Sequence, residues 1–152
     1  MGNICRSPTA EAVMAHHLEQ SGLVDQVSVD SAGTGGWHAG QAADSRARAE
    51  ARRRGIVMEG VARQFTRGDF ARFDLVIAMD ADNAADLRRL APTDAAREKV
   101  VLLRSFDAAS HDDLDVPDPY YGGPEGFSTV FDMVDAACRG LIEHVRTLPP
   151  LR

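Results

Sequence analysis

The chain has 152 residues, a net charge of −6, 44% hydrophobic and 26% charged residues. These values fit one soluble domain, residues 1–152, large enough to bury a core, and exclude wholesale disorder. The acidic balance argues against a nucleic-acid binder, and no apolar run approaches the ~20 residues of a membrane span. No secretory leader is visible. Cys5 and Cys138 are too few for a disulfide scaffold or a four-cysteine zinc site, so a reducing, cytoplasmic setting is expected. Lys99 is the single lysine among 17 basic residues, and the arginines are scattered, which reads as compositional bias.

In chain order, residues 7–22 predict a first helix, with Ala10, Val13, Met14, His17 and Leu18 on one stripe, Ser7 as N-cap and Pro8 as first helical residue. Residues 27–29 (Val-Ser-Val) read as a strand running into Asp30-Ser31-Ala32-Gly33. A helix follows over 44–54 and closes at Gly55. Residues 63–65 are extended, and 66–73 form a short helix. Residues 74–79 (DLVIAM) and 100–103 (VVLL) are apolar runs of the kind buried on both faces of a parallel sheet, with a helix over 81–91 between them. An acidic loop spans 107–123, and a last helix spans 126–146 with Phe127, Val130, Phe131, Val134, Cys138, Leu141 and Val145 on its core face. Alternating strands and helices define an α/β class with a parallel sheet. Only a strand ahead of the first helix is missing from that pattern.

Two loops carry the chemistry. Residues 1–8 (MGNICRSP) sit at the mouth of the first helix, where loop N–H groups and the helix dipole favour an anion. Gly2 permits a tight turn, and Arg6 offers a planar fork for two phosphate oxygens. The same residues also read as an ordinary capped helix start. Residues 118–123 (DPYYGG) follow the second apolar run, at the sheet edge where open α/β proteins bind ligands. Asp112, Asp113, Asp115 and Asp118 cluster there. Beside a phosphate this makes sense if one carboxyl is held protonated as a general acid; otherwise it is a turn with two surface tyrosines. Ser31 and Asp80 end predicted strands and are candidate supports for the first loop. Trp37, the one Trp, lies in a Gly-rich loop, as a substrate wall or as an anchor at the core edge. The histidines show no metal-ligand spacing.

Residues 2–8 (GNICRSP), 30–34 (DSAGT), 79–80 (MD) and 118–122 (DPYYG) occur in the order and spacing of low-molecular-weight protein tyrosine phosphatases, and the chain resembles that family over residues 2–146. Trp37 and residues 103–107 (LRSFD) resemble bacterial, actinobacterial-type members. The resemblance implies a three-layer α/β/α fold around a four-stranded parallel sheet. It implies a hydrolase acting on tyrosine-phosphorylated proteins through a phosphocysteine, with no cofactor and no metal, releasing inorganic phosphate. Arg6 matches the phosphoryl clamp and Asp118 the general acid and base. Gly2, Asn3, Ile4, Cys5 and Ser7 match the phosphate loop. Asn3 and Ser31 match residues that hold that loop's shape, and Asp80 one that orients the Arg. Trp37, Tyr120 and Tyr121 match the phosphotyrosine cleft. Neither nucleic acid nor membrane is an implied partner, and a monomer is expected. Residues 79–83 (MDADN) lack the cysteines of the arsenate reductases that share this fold.

One departure is large. The family nucleophile is a cysteine six positions before the Arg, and six before Arg6 is position 0. Cys5 matches the cysteine next to the Arg, and neither Cys5 nor Cys138 begins the signature. The family's first, central strand is absent too, which leaves its sheet neighbours without a partner. The expectation is that the native chain carries a short apolar strand and a Cys directly before Met1. The alternative is a catalytically inactive phosphotyrosine- or phosphate-binding module.

Overall fold

Helix α1 spans Arg6–Gln20 and buries Val13, Met14 and Leu18 along one stripe, with Thr9 above them. The computed structural model describes residues 6–36, 39–110, 113–119 and 124–147. The helix starts one residue earlier than its sequence suggests. Ser7 is therefore inside the first turn, not the N-cap, and Pro8 is the third helical residue, not the first. Pro is tolerated there because first-turn N–H groups have no intrahelical acceptor. The helix ends where Leu23 N donates to Leu18 O at 2.9 Å and Gly22 takes φ +70°.

Helix α2 (Ser45–Arg53) is capped by Asp44, which accepts from Arg46 N, and the chain turns at Gly55 with φ +76°. Arg54 fastens it to the last helix. Its Nε donates to Glu50 at 2.7 Å and its Nη1 to Asp132 at 3.0 Å. A short helix α3 (Asp69–Arg72) precedes strand β1 (Val76–Ala78). Helix α4 (Ala81–Leu90), the five-residue α5 (Asp94–Glu98) and strand β2 (Val100–Leu102) follow, and residues 103–106 wind into a 3-10 turn. The sequence reading has no counterpart for α5. Thr93 caps it through Ala96 N, and its one buried residue is Ala96, too little for a hydrophobic stripe. Helix α6 (Pro124–Thr147) is the spine. It packs on α1, α2 and the 3-10 turn.

β1 and β2 pair in parallel, Val76 beside Val100 and Ala78 beside Leu102. Their side chains alternate between two apolar layers. Ile77 and Met79 join the core built from α1 and α6, whereas Val76 and Ala78 join Phe70, Ala84, Leu87 and Ala96 from α3, α4 and α5. This is the three-layer α/β/α arrangement implied by the resemblance.

The sheet is smaller than the three strands expected once the family's first strand is absent. Among the described residues it has two strands, β1 and β2. Residues 27–29, expected as a strand, form no ladder with the described residues; nearby are the single bridges Gly33 with Gln64 and Ala42 with Val61. Val27 and Val29 still pack against the α1/α6 core, so the apolar part of that reading survives. What fails is pairing. A strand exists only against a hydrogen-bonding neighbour, and the space beside residues 27–29 is a cavity.

Candidate active site

The site lies where the carboxyl end of β1 meets the first turn of α1. Arg6 is 5% exposed. Its Nη1 donates to Asp80 Oδ2 at 2.6 Å and to the Val116 carbonyl at 2.8 Å. Asp80 serves two elements, since its Oδ1 also accepts from Asn83 N at 2.7 Å and caps α4. Burial works to raise the Asp80 carboxyl. The Arg6 and Asn83 hydrogen bonds, with the Arg6 charge, outweigh it and hold the group below its ordinary value.

The acidic loop is stitched to the same strand end. Val116 N donates to Met79 O at 2.8 Å, Ala81 N to Asp115 Oδ1 at 2.9 Å, and Arg104 Nη1 to Asp115 O at 2.9 Å. The expected acidic cluster thus divides. Asp115 is bound at the start of α4 and Asp113 accepts from Asp115 N. Asp118 is exposed, two residues beyond the carbonyl held by Arg6, and next to Pro119, which is buried and packs near Gly126. Arg6 and Asp80 therefore meet, and Asp118 follows Val116, whose carbonyl Arg6 holds, by two residues. Ser7 lies half-buried in the same turn of α1.

Ser31 sits one layer out. Its hydroxyl donates to Glu11 in the second turn of α1, and Asp30 beside it receives Arg63. Arg63 also donates to the buried Asp69 at 2.9 Å. Burial raises the Glu11 carboxyl against the lowering effect of the Ser31 hydroxyl. Asp69 is pushed upward by burial too, but donors from Arg63 and Thr66 bring it below its ordinary value. The sequence reading assigned no role to Glu11, Arg63 or Asp69. Glu11 and Asp69 lie inside segments read only as helical, and Arg63 inside one read only as extended. Gly2, Asn3, Ile4, Cys5, Trp37, Asp112, Tyr120 and Tyr121 lie outside the described residues.

Cys138 is fully buried inside α6. Burial, then the nearby Asp135 charge, push its thiol up to about 12, so it holds no thiolate near neutral pH. Among the described residues no group of three or more His, Cys, Asp and Glu could hold a metal ion, and no helix is long and apolar enough to cross a membrane.

A parallel β pair between helical layers, with a buried Arg and carboxylate at its carboxyl end, defines a three-layer α/β protein of the kind that binds ligands at that edge. Residues 1–148 match the family described as low molecular weight phosphotyrosine protein phosphatase. A low molecular weight protein-tyrosine-phosphatase from Streptomyces coelicolor is 53% identical over 146 residues, 95% of this chain and 89% of the relative. A human low molecular weight phosphotyrosine protein phosphatase is 40% identical over 94% of this chain and 90% of its own. The crystal structure of a protein tyrosine phosphatase from Entamoeba histolytica, with Hepes in its active site, superposes with a TM-score of 0.92 at 40% identity, over 96% of this chain and 92% of that one. The chain belongs to the low-molecular-weight phosphotyrosine protein phosphatase family.

Proposed function

We propose that this single domain is a monomeric, cytoplasmic protein-tyrosine phosphatase that hydrolyses phosphotyrosine through a phosphocysteine, without a cofactor. One observation supports it above the others. Arg6 grips the Val116 carbonyl, which ties a buried guanidinium at an anion-favouring helix start to the loop bearing Asp118. That bond supports the reading because it ties the proposed clamp to the loop that carries the proposed acid.

In this reading the nucleophile is a thiolate immediately upstream of Met1. Its sulfur bonds to phosphorus as the aryl oxygen leaves, and Asp118 gives that oxygen its proton. Asp118 then takes a proton from water; the water oxygen bonds to phosphorus, the S–P bond breaks, and inorganic phosphate departs. Arg6 and the N–H groups of Gly2, Asn3, Ile4, Cys5 and Ser7 hold the three phosphoryl oxygens. Asp80 aims Arg6, while Asn3 and Ser31 brace the loop. Trp37, Tyr120 and Tyr121 wall the aromatic ring.

The test compares residues 1–152 with a chain extended upstream by an apolar strand ending in Cys, on p-nitrophenyl phosphate and on a phosphotyrosine peptide. The expected result is turnover by the extended chain only, since losing a nucleophile can cost on the order of 10⁶ in rate. A folded, extended chain without turnover overturns the proposal. Asp118→Asn in the extended chain slows release of tyrosine, whose phenol has a pKa of about 10, more than release of p-nitrophenol. If the extended chain binds the phosphopeptide in calorimetry yet never hydrolyses it, the domain is a binding module instead.

A further inference from the structure

Residues 116–119 read Val-Pro-Asp-Pro. Pro117 and Pro119 each lock φ near about −65°, and each keeps the residue before it extended. Asp118 therefore stands at the end of a stiff strut, roughly 7 Å from Val116 at about 3.3 Å per residue. Where residues 115 and 116 point, Asp118 follows. A tilt of about 20° at Val116 displaces Asp118 by about 2 Å over that length. For a group that must meet a reacting atom, a misplacement of about 1 Å can cost on the order of 10² in rate.

The peptide joining Asp115 to Val116 sets that tilt. It is one plane, with the Asp115 carbonyl and the Val116 N–H pointing in opposite directions. Val116 N donates to Met79 O at 2.8 Å, which holds one edge. A single bond leaves the plane free to swing about it. Arg104 holds the other edge, its Nη1 donating to Asp115 O at 2.9 Å. The Asp115 side chain adds a third point, since its Oδ1 accepts from Ala81 N at 2.9 Å at the start of α4. The strut is thus fastened to the end of β1, to the turn after β2 and to α4.

Arg104 gives something up to make this contact. Its Nε is buried and has no hydrogen-bond partner among the described residues. Buried donors are ordinarily paired, and an arginine extended into solvent keeps all of its N–H groups hydrated. Its own carbonyl accepts from Ser110 Oγ at 2.8 Å, which steadies the turn it stands on.

We propose that Arg104 and Asp115 are positioning residues for the phosphatase reaction: they clamp the peptide between Asp115 and Val116 and so set where Asp118 delivers its proton. This rests on the reading of Asp118 as the acid. Neither residue needs to touch the substrate in this role.

The test uses the upstream-extended chain and compares kcat/KM on p-nitrophenyl phosphate and on phenyl phosphate, whose leaving group resembles the tyrosine phenol of pKa about 10. Arg104→Ala and Asp115→Ala are each expected to lose at least about tenfold more on phenyl phosphate, a part of the roughly 10²–10⁴-fold that a general acid contributes. Asp115→Asn keeps an oxygen for Ala81 N and is expected to recover most of that loss. A change that merely destabilised the fold would lower both substrates alike. Equal losses on the two substrates overturn the proposal when Asp118→Asn still distinguishes them. If Asp118→Asn does not distinguish them, the acid assignment falls and the proposal with it. A second measurement needs no activity. In residues 1–152, Arg104→Ala is expected to speed amide exchange of Val116 at least about tenfold, while Ala84 inside α4 keeps its rate. An unchanged Val116 rate overturns the proposal whatever the kinetics.

Discussion

Asp80 performs two separable jobs, and substituting it tests the site's architecture. Its Oδ2 neutralises Arg6 and its Oδ1 caps α4. Asp80→Ala removes both; Asp80→Asn keeps a capping oxygen and removes only the charge. Loss of the cap costs about 1 kcal/mol. Stranding a buried guanidinium costs about 3–5 kcal/mol when burial is complete. Here Asp80 is 21% exposed and Arg6 keeps the Val116 carbonyl, so about 2 kcal/mol is the appropriate figure. Asn is therefore expected to destabilise by about 1–2 kcal/mol and Ala by about 3 kcal/mol. With a urea slope of about 2 kcal/mol per molar, the Ala midpoint falls by about 1.5 M. The charge part depends on pH. The Asp80 carboxyl is held low in the folded chain, so its contribution is complete above its unfolded value of about 3.9 and disappears as pH falls through the folded value. The gap between wild type and Asn should close in acid. Equal losses for Asn and Ala would refute the capping half; a gap that persists in acid would refute the charge half.

Three further outcomes are expected. A Cβ on Gly140 would lie 1.7 Å from the Phe106 carbonyl oxygen, so Gly140→Ala should cost about 3 kcal/mol or more by denaturant unfolding, although Ala is ordinarily the better helix former; a neutral result would mean that α6 does not touch the 3-10 turn there. Burial raises Glu11, so its native proton affinity favours folding at low pH and that contribution is lost as pH rises through the folded value; Glu11→Gln should flatten the fall in stability as pH rises above the ordinary glutamate value of about 4.3, and an unchanged slope would refute the burial argument. Cys138 should resist alkylation at pH 8 until the chain unfolds, as read by peptide mass, and rapid native labelling would contradict its place in the core.

Helices α1, α2, α4 and α6 were readable because their evidence is local. Apolar residues recur at helical spacing, Asp44 starts α2, and Gly55 follows its end. The runs at 74–79 and 100–103 were readable as buried strands because uninterrupted Val, Ile and Leu suit a sheet covered on both faces. Ser7 was misplaced because a cap depends on where the turn begins, and first-turn residues share one composition. α5 escaped notice because five residues with one buried alanine leave no period to detect. In the site, Arg6, Asp80 and Asp118 stood out by motif, whereas Glu11, Arg63 and Asp69 have no local pattern that distinguishes them from surface charges.

By itself the sequence determined the α/β class, the main helices, the two buried strands and the motifs that name the family. Each follows from propensity, periodicity or spacing within a few neighbouring residues. Only the tertiary structure decided that Arg6 meets Asp80 across 74 positions and Val116 across 110, and that Ser31 reaches Glu11. It also decided that residues 27–29 form no ladder with the described residues although their composition favours a strand. A β-strand is completed by a neighbour's peptide groups, and no property of residues 27–29 supplies that neighbour.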